Sequence, residues 1–266
     1  MKNNRIERLK LVFPLKPKFE SEKIEMGKST VVWQARNGEI APVEALQMLN
    51  DIMQQLGMEV KFKTQEKTIS TTALLTRVAQ TGKWTQIESN NLSFQFGAVG
   101  LYDHSFILIE EQVAGAAICW DRWVKPFLAA PGFVQAWVSD VEYDHWQNAK
   151  DILEYTAVGR DYSQLPMISN GLPPPLEQKI IDTTNNPGRW SLQSGYVEAI
   201  GATMWLGDSF WERVGADRKE RVKSVNWLNV ETVNDNTLHV RASENSFSDQ
   251  RTAEVQNKLR AILYGT

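Results

Sequence analysis

Hydrophobic positions recur along this chain with two periods, and the periods divide it into strands and helices. "RIERLKLVFPL" reads as a first strand that ends at Pro14. The charged stretch from Lys16 to Lys28 reads as a loop, and "TVVWQAR" as a further strand closed by the turn signal Asn37-Gly38. In "APVEALQMLNDIMQQLG", Leu46, Leu49, Ile52, Met53 and Leu56 recur at helical spacing. Pro42 lies near the start and Gly57 at the end, so a helix is predicted. "ISTTALLTRVAQTG" is Thr-rich first and helix-like from Ala73 to Ala79. "NLSFQFGAVG" sets Leu92, Phe94 and Phe96 against Ser93 and Gln95, which predicts a strand with one buried face. "SFILIEEQ" is apolar from Phe106 to Ile109. It predicts a strand buried on both faces, with its acidic end, Glu110 and Glu111, in water.

"DRWVKPFLAA" reads as a short helix broken at Pro126. "GFVQAWVSDVEY" reads as a long strand whose period of two puts Asp140 and Glu142 on one face. "DHWQNAKDILEYT" then starts a helix with Asp144 as its cap. Residues 159–188 change character, through Pro166, "GLPPPL" and "TTNNPG"; a connector of this length is either a linker or a functional loop. Two strands follow, "VNWLNVETV" and "TLHVRA", and then a terminal helix with Val255, Leu259, Ile262 and Leu263 as its apolar stripe. The expected fold is α+β with largely antiparallel sheet flanked by helices. Two sequential halves, 1–158 and 189–266, are joined by the connector 159–188.

The stretch "MWLGDSFWERVG" concentrates aromatic surface around a Gly-Asp turn. Ser209 and Glu212 have capping-box spacing, Phe210, Trp211 and Val214 share a helical face, and Gly215 stops the turn. This favours a packing wedge over a ligand platform, since a helix this short needs buried aromatics to hold it.

With 42% hydrophobic residues among 266, the chain can bury a core. The net charge of −3 leaves no basic stripe for nucleic acid. Charge is segregated, however. Residues 1–30 carry eight bases and four acids, whereas residues 101–155 carry three bases and nine acids. The lone Cys119, in "VAGAAICW", excludes an intrachain disulfide and reads as a buried, inert thiol in a reducing compartment. No apolar run reaches the ~20 residues of a membrane span, and the start lacks a signal-peptide pattern, so a cytoplasmic protein is expected.

Candidate chemistry is sparse. Tyr-Asp-His occurs at Tyr102-Asp103-His104 and at Tyr143-Asp144-His145, where turn and cap roles outweigh metal binding. The third histidine, His239, is expected on the solvent face of its strand. No nucleophile-elbow, dinucleotide, phosphate-loop or zinc-protease motif is present, so no catalytic residue, metal or cofactor is expected. A rival reading, a carbohydrate-binding or sugar-hydrolysing protein, draws on ten tryptophans and on paired carboxylates.

"SGYVEAIGATMWLGDSFWERVG", "VNWLNVETVNDNTLHVRA" and "RTAEVQNKLRAILYG" together resemble the immunity protein 52 family, best from Arg189 to Gly265. The matching residues are Trp205, Gly207, Phe210, Trp211, Trp227, Leu228, Arg260 and Gly265. The resemblance implies a cytoplasmic α+β protein, not an enzyme, that protects a bacterium from a cognate toxin. Such toxins are often restriction-endonuclease-fold DNases, and the TsiT type guards against a type VI secretion effector. The matching residues would be mainly framework. The candidate toxin-facing residues come instead from the acidic block: Glu110, Glu111, Asp140, Glu142 and Asp144, which would meet a basic nuclease surface. Neither a nucleic-acid nor a membrane partner is expected, and self-association stays open.

Overall fold

The computed structural model describes residues 5–16, 24–25, 28–29, 39–65 and 67–265. The strand candidate "TVVWQAR" with its Asn37-Gly38 turn, and most of the loop after Lys16, lie outside these residues. Alternating burial produces β1 (Glu7–Pro14), in which Leu9, Leu11 and Phe13 face one way and Val12 the other. The strands β2 (Phe62–Thr64), β3 (Lys67–Ile69), β4 (Ile87–Ser89), β5 (Leu92–Val99), β6 (His104–Glu111) and β7 (Gln135–Asp140) precede the connector. Three more, β8 (Thr203–Gly207), β9 (Asn229–Asn234) and β10 (Thr237–Arg241), follow it. All ten join one antiparallel sheet in the order β9-β10-β8-β7-β1-β6-β5-β4-β2-β3. The fold is therefore α+β. Residues from both sides of the connector share the sheet, because β7 pairs with β8 in the register Ala136↔Trp205.

Helices pack on opposite faces at opposite ends. The first face is covered by α1 (Pro42–Gln55), α2 (Thr71–Thr81) and α3 (Trp120–Val124). Helix α1 buries Leu46, Leu49, Ile52 and Met53, each contributing roughly 1.5–3 kcal/mol. Helix α2 settles the ambiguous Thr-rich stretch: Ser70 accepts from Ala73 N at 3.3 Å, and Gly82 ends it in the left-handed region. The other face holds a second core of Val12, Trp137, Met204 and Leu206 against α6 (Asp208–Val214) and α8 (Ala253–Tyr264). Between these, α4 (Val141–Asn148) and α5 (Ile152–Ala157) follow β7, and α7 (Ala216–Ser224) follows α6.

Three expectations for this region fail. Strand β6 is not buried on both faces: Ile107, Ile109 and Glu111 are buried, while Phe106, Leu108 and Glu110 are half-buried. Strand β7 stops at Asp140, which caps α4 by accepting from Tyr143 N at 2.7 Å, so Glu142 lies in a helix and shares no strand face with Asp140. Asp144 is consequently inside α4 and caps nothing; the next helix, α5, is capped by Asp151.

The connector is ordered. Residues Met167–Ser169 pair antiparallel with Lys179–Ile181 as a hairpin, and Ile181 joins a third small cluster with Ala149 and Tyr155.

Candidate functional site

The acidic block and the basic N-terminus meet at the start of β1. Arg8 and Glu110 are cross-strand partners, with Nη2 and Oε2 2.5 Å apart, and Arg8 Nη1 also lies 3.4 Å from Asp144 Oδ2. Arg5 Nη1 reaches Asp140 Oδ2 at 3.3 Å. Glu111 is only 4% exposed, so its end of β6 is not in water; its carboxylate accepts from Glu7 N at 3.1 Å and from Ala117 N at 3.0 Å. Asp140 is 2% exposed. Of the five acids, Glu142 is exposed and Glu110 and Asp144 are half-buried. Burial pushes the Asp144 carboxyl up, against the opposing pull of Arg8 and then Lys10.

Glu7 turns the other way. Its carboxylate accepts from Trp120 Nε1 at 2.7 Å and from Ser246 Oγ at 2.6 Å. It lines a pocket of about 210 Å³ with Trp120, Asp121, Thr203, Trp205 and Arg241. His239 belongs to this corner and is buried, contrary to the solvent face expected from its strand, because its ring stacks on Trp205 at 4.7 Å and 6°. Its Nε2 lies 2.8 Å from Thr203 Oγ1 and 4.0 Å from Asp121 Oδ1. Both contacts use one nitrogen, so they form no proton relay of the kind that orients a catalytic histidine through its second nitrogen. Burial lowers the His239 pKa more than Asp121 raises it.

The two Tyr-Asp-His copies have different settings. His104 is buried, not merely polar at a strand start; Nδ1 lies 3.0 Å from Tyr102 O, and burial lowers its pKa. His145 is exposed, 3.2 Å from Glu154. Among the described residues no three of His, Cys, Asp and Glu converge as a metal site. Cys119 is half-buried rather than enclosed, with Sγ 3.8 Å from Asp121 Oδ2. It precedes Trp120 at the start of α3, where the neighbouring Ile118 points out into solvent.

The aromatic stretch is a wedge. Trp205, Phe210 and Trp211 are buried, and Phe210 meets Trp211 edge-on at 5.0 Å and Tyr264 at 6.0 Å. The Ser209–Glu212 capping box does not form: α6 begins at Asp208 after Gly207, with no side-chain cap. Glycine is required there because a Cβ would stand 2.5 Å from Phe133 O. Arg260, also buried, reaches Glu198 Oε1 at 3.2 Å, Pro187 O at 3.4 Å and Arg189 O. Trp227 departs from the framework role, lying partly in solvent beside the buried Leu228.

No family model matches the chain. No curated protein matches it either. Among solved structures it is similar to the Pseudomonas aeruginosa T6SS protein PA0821, with a TM-score of 0.46 and 8% identity, over 98% of this chain and 75% of that one.

Sequence reasoning missed two features. One is the tether of Arg260 to the returning connector. The other is the connector's hairpin: Asn170-Gly171 has the sequence of a two-residue turn, but the loop runs from 170 to 178 and Asn170 bridges it to Gln178. No helix among the described residues is long and apolar enough to cross a membrane.

Proposed function

We infer that this protein is an immunity protein, which binds and neutralises a cognate bacterial toxin in the cytoplasm of the cell that makes both. The resemblance favours a restriction-endonuclease-fold DNase effector as that toxin. One observation carries the reading. Most residues that bear the resemblance are buried framework: Phe210, Trp211 and Leu228 lie in the second core, Trp205 is buried in the first core on the other face of the sheet, and Arg260 ties α8 to Glu198. Of the five candidate acids, exposed Glu142 is the one placed to face a basic nuclease cleft, since Glu110 and Asp144 are paired with Arg8.

Co-expression with the product of the adjacent reading frame tests the reading. Growth should be lost with that product alone and restored when this protein is present. Continued growth arrest in the presence of both would refute it.

A further inference from the structure

We propose that the arm formed by residues 163–179 is the element that enters the toxin, seating Leu172 and Leu176 in a concave apolar pocket of that protein. This rests on the immunity reading above.

The arm is held at both ends and bare in between. At its root, Ile181 packs with Tyr155 and Ala149, Arg160 stacks over Trp146 at 4.5 Å, and Ile181 N donates to Lys150 O at 2.9 Å. At its tip, Asn170 acts as an internal brace. Its Oδ1 accepts from Leu172 N and Gln178 N, each at 3.1 Å, and its Nδ2 donates to Leu176 O at 3.0 Å. Leu176 N donates to Pro173 O at 2.9 Å. Three consecutive prolines, Pro173 to Pro175, further restrict the backbone.

Every side chain from 163 to 179 except Asn170 is nonetheless exposed. Leu172 is 50% and Leu176 62% in solvent. In the strand below, neighbours point to opposite faces, and Met167 at 38% and Ile168 at 41% leave both faces open. The hairpin therefore does not lie down on the body. A loop whose polar backbone is satisfied internally, while its apolar side chains are presented outward, has already met the ordering cost of binding.

The chemistry of the arm selects among partners. It carries Glu177 and Lys179 and no other charge, so it has no means of gripping phosphates. It has no aromatic residue and no basic cluster, which membrane-dipping loops use at the lipid interface. A narrow convex tip of leucines and prolines is complementary to a concave apolar pocket on a protein. Exposed Glu142 steers the encounter and the arm supplies the tight contact.

The test uses the full chain and, as probe, the tagged product of the adjacent reading frame. Leu172→Glu/Leu176→Glu should keep the wild-type melting temperature while weakening binding by about 30-fold per side chain, and it should abolish growth protection. Leu172→Met/Leu176→Met should bind nearly as wild type. Should the glutamate variant prove unstable, replacing residues 171–177 by an Asn-Gly turn carries the same expectation. Wild-type-like binding and protection by a folded glutamate variant overturn the proposal. So does wild-type binding to zwitterionic or anionic vesicles that the variant loses, which would make the arm a lipid anchor. A wild-type dimer in light scattering that the variant dissociates would overturn it too. A wild type that neither binds nor protects is a separate result: it defeats the immunity reading, and the arm proposal falls with it.

Discussion

The charge junction at the start of β1 and the proline-rich arm invert what their compositions suggest. Glu111 and Asp140 belong to an acidic run, yet they are enclosed, each accepting a backbone N–H. Leu172 and Leu176 are apolar, yet they face water. The difference lies in where partners come from. Asp140 finds Arg5 and Glu111 finds the amide of Glu7, both brought from more than 100 residues away, so burying them is compensated. The leucines have no second layer above them, and a brace within the loop holds the chain without one. Composition reports what a residue prefers; topology decides whether anything arrives to satisfy it.

The contrast can be broken most forcefully at the junction. Asp140→Lys or Glu111→Lys should cost about 3–5 kcal/mol, because each leaves a buried charge beside unpaired amides. At roughly 2–4 °C per kcal/mol for a chain near this size, thermal melting should fall by about 6–20 °C, or the protein should become insoluble. A surface acid would give no such drop. Trp211→Ala, which empties part of the second core, should cost about 3–5 kcal/mol as well and would separate packing loss from charge burial.

Smaller effects sharpen the comparison. Asp144→Asn should raise the melting temperature slightly at pH 7. Burial lifts the Asp144 pKa above its unfolded value, so ionisation opposes folding; the gain should vanish as pH falls through the folded pKa toward 3.8. His104 and His239 work in the other direction. Burial depresses both, so the folded state resists the proton that the unfolded chain takes up near 6.5. Stability should decline as pH drops below that value toward their folded pKa values, and His239→Gln should flatten part of the decline in melting curves taken across pH 5–7. Smallest of all, Glu142→Lys should shift stability by no more than about 0.5 kcal/mol, and it should slow association with a basic toxin at low salt but not at high salt.

Much of the fold was readable in the chain. Helix α1, strand β1 and the stripe Val255, Leu259, Ile262 and Leu263 of α8 follow their periods, because one face of each is buried along its length. The site was harder. Alternation in "VQAWVSDVEY" masked a cap, since Asp140 fits a strand pattern and an N-cap equally well; the acids Glu142 and Asp144 just beyond it were the sign of a helix start. Ser209 and Glu212 had the right spacing but stand two residues too deep, because Gly207 must abut the Phe133 carbonyl and fixes where α6 begins. The burial of Glu111 and His239 draws on Glu7 and Trp205, partners far away in sequence that no local pattern contains.

The Arg260 tether has a consequence for the order in which the molecule is made. The carbonyls of Pro187 and Arg189, where the connector rejoins the sheet, wait for a guanidinium about seventy residues downstream. At roughly 5–20 residues per second, several seconds pass between the emergence of the arm and the arrival of the side chain that fastens its exit. During synthesis the braced tip is therefore complete while its return path is held from the α4 side alone, where Gln147 Oε1 accepts from Gly188 N and Asn148 Oδ1 accepts from Trp190 N. A nascent chain that stops short of Arg260 should be cut by proteases at that path faster than the finished protein.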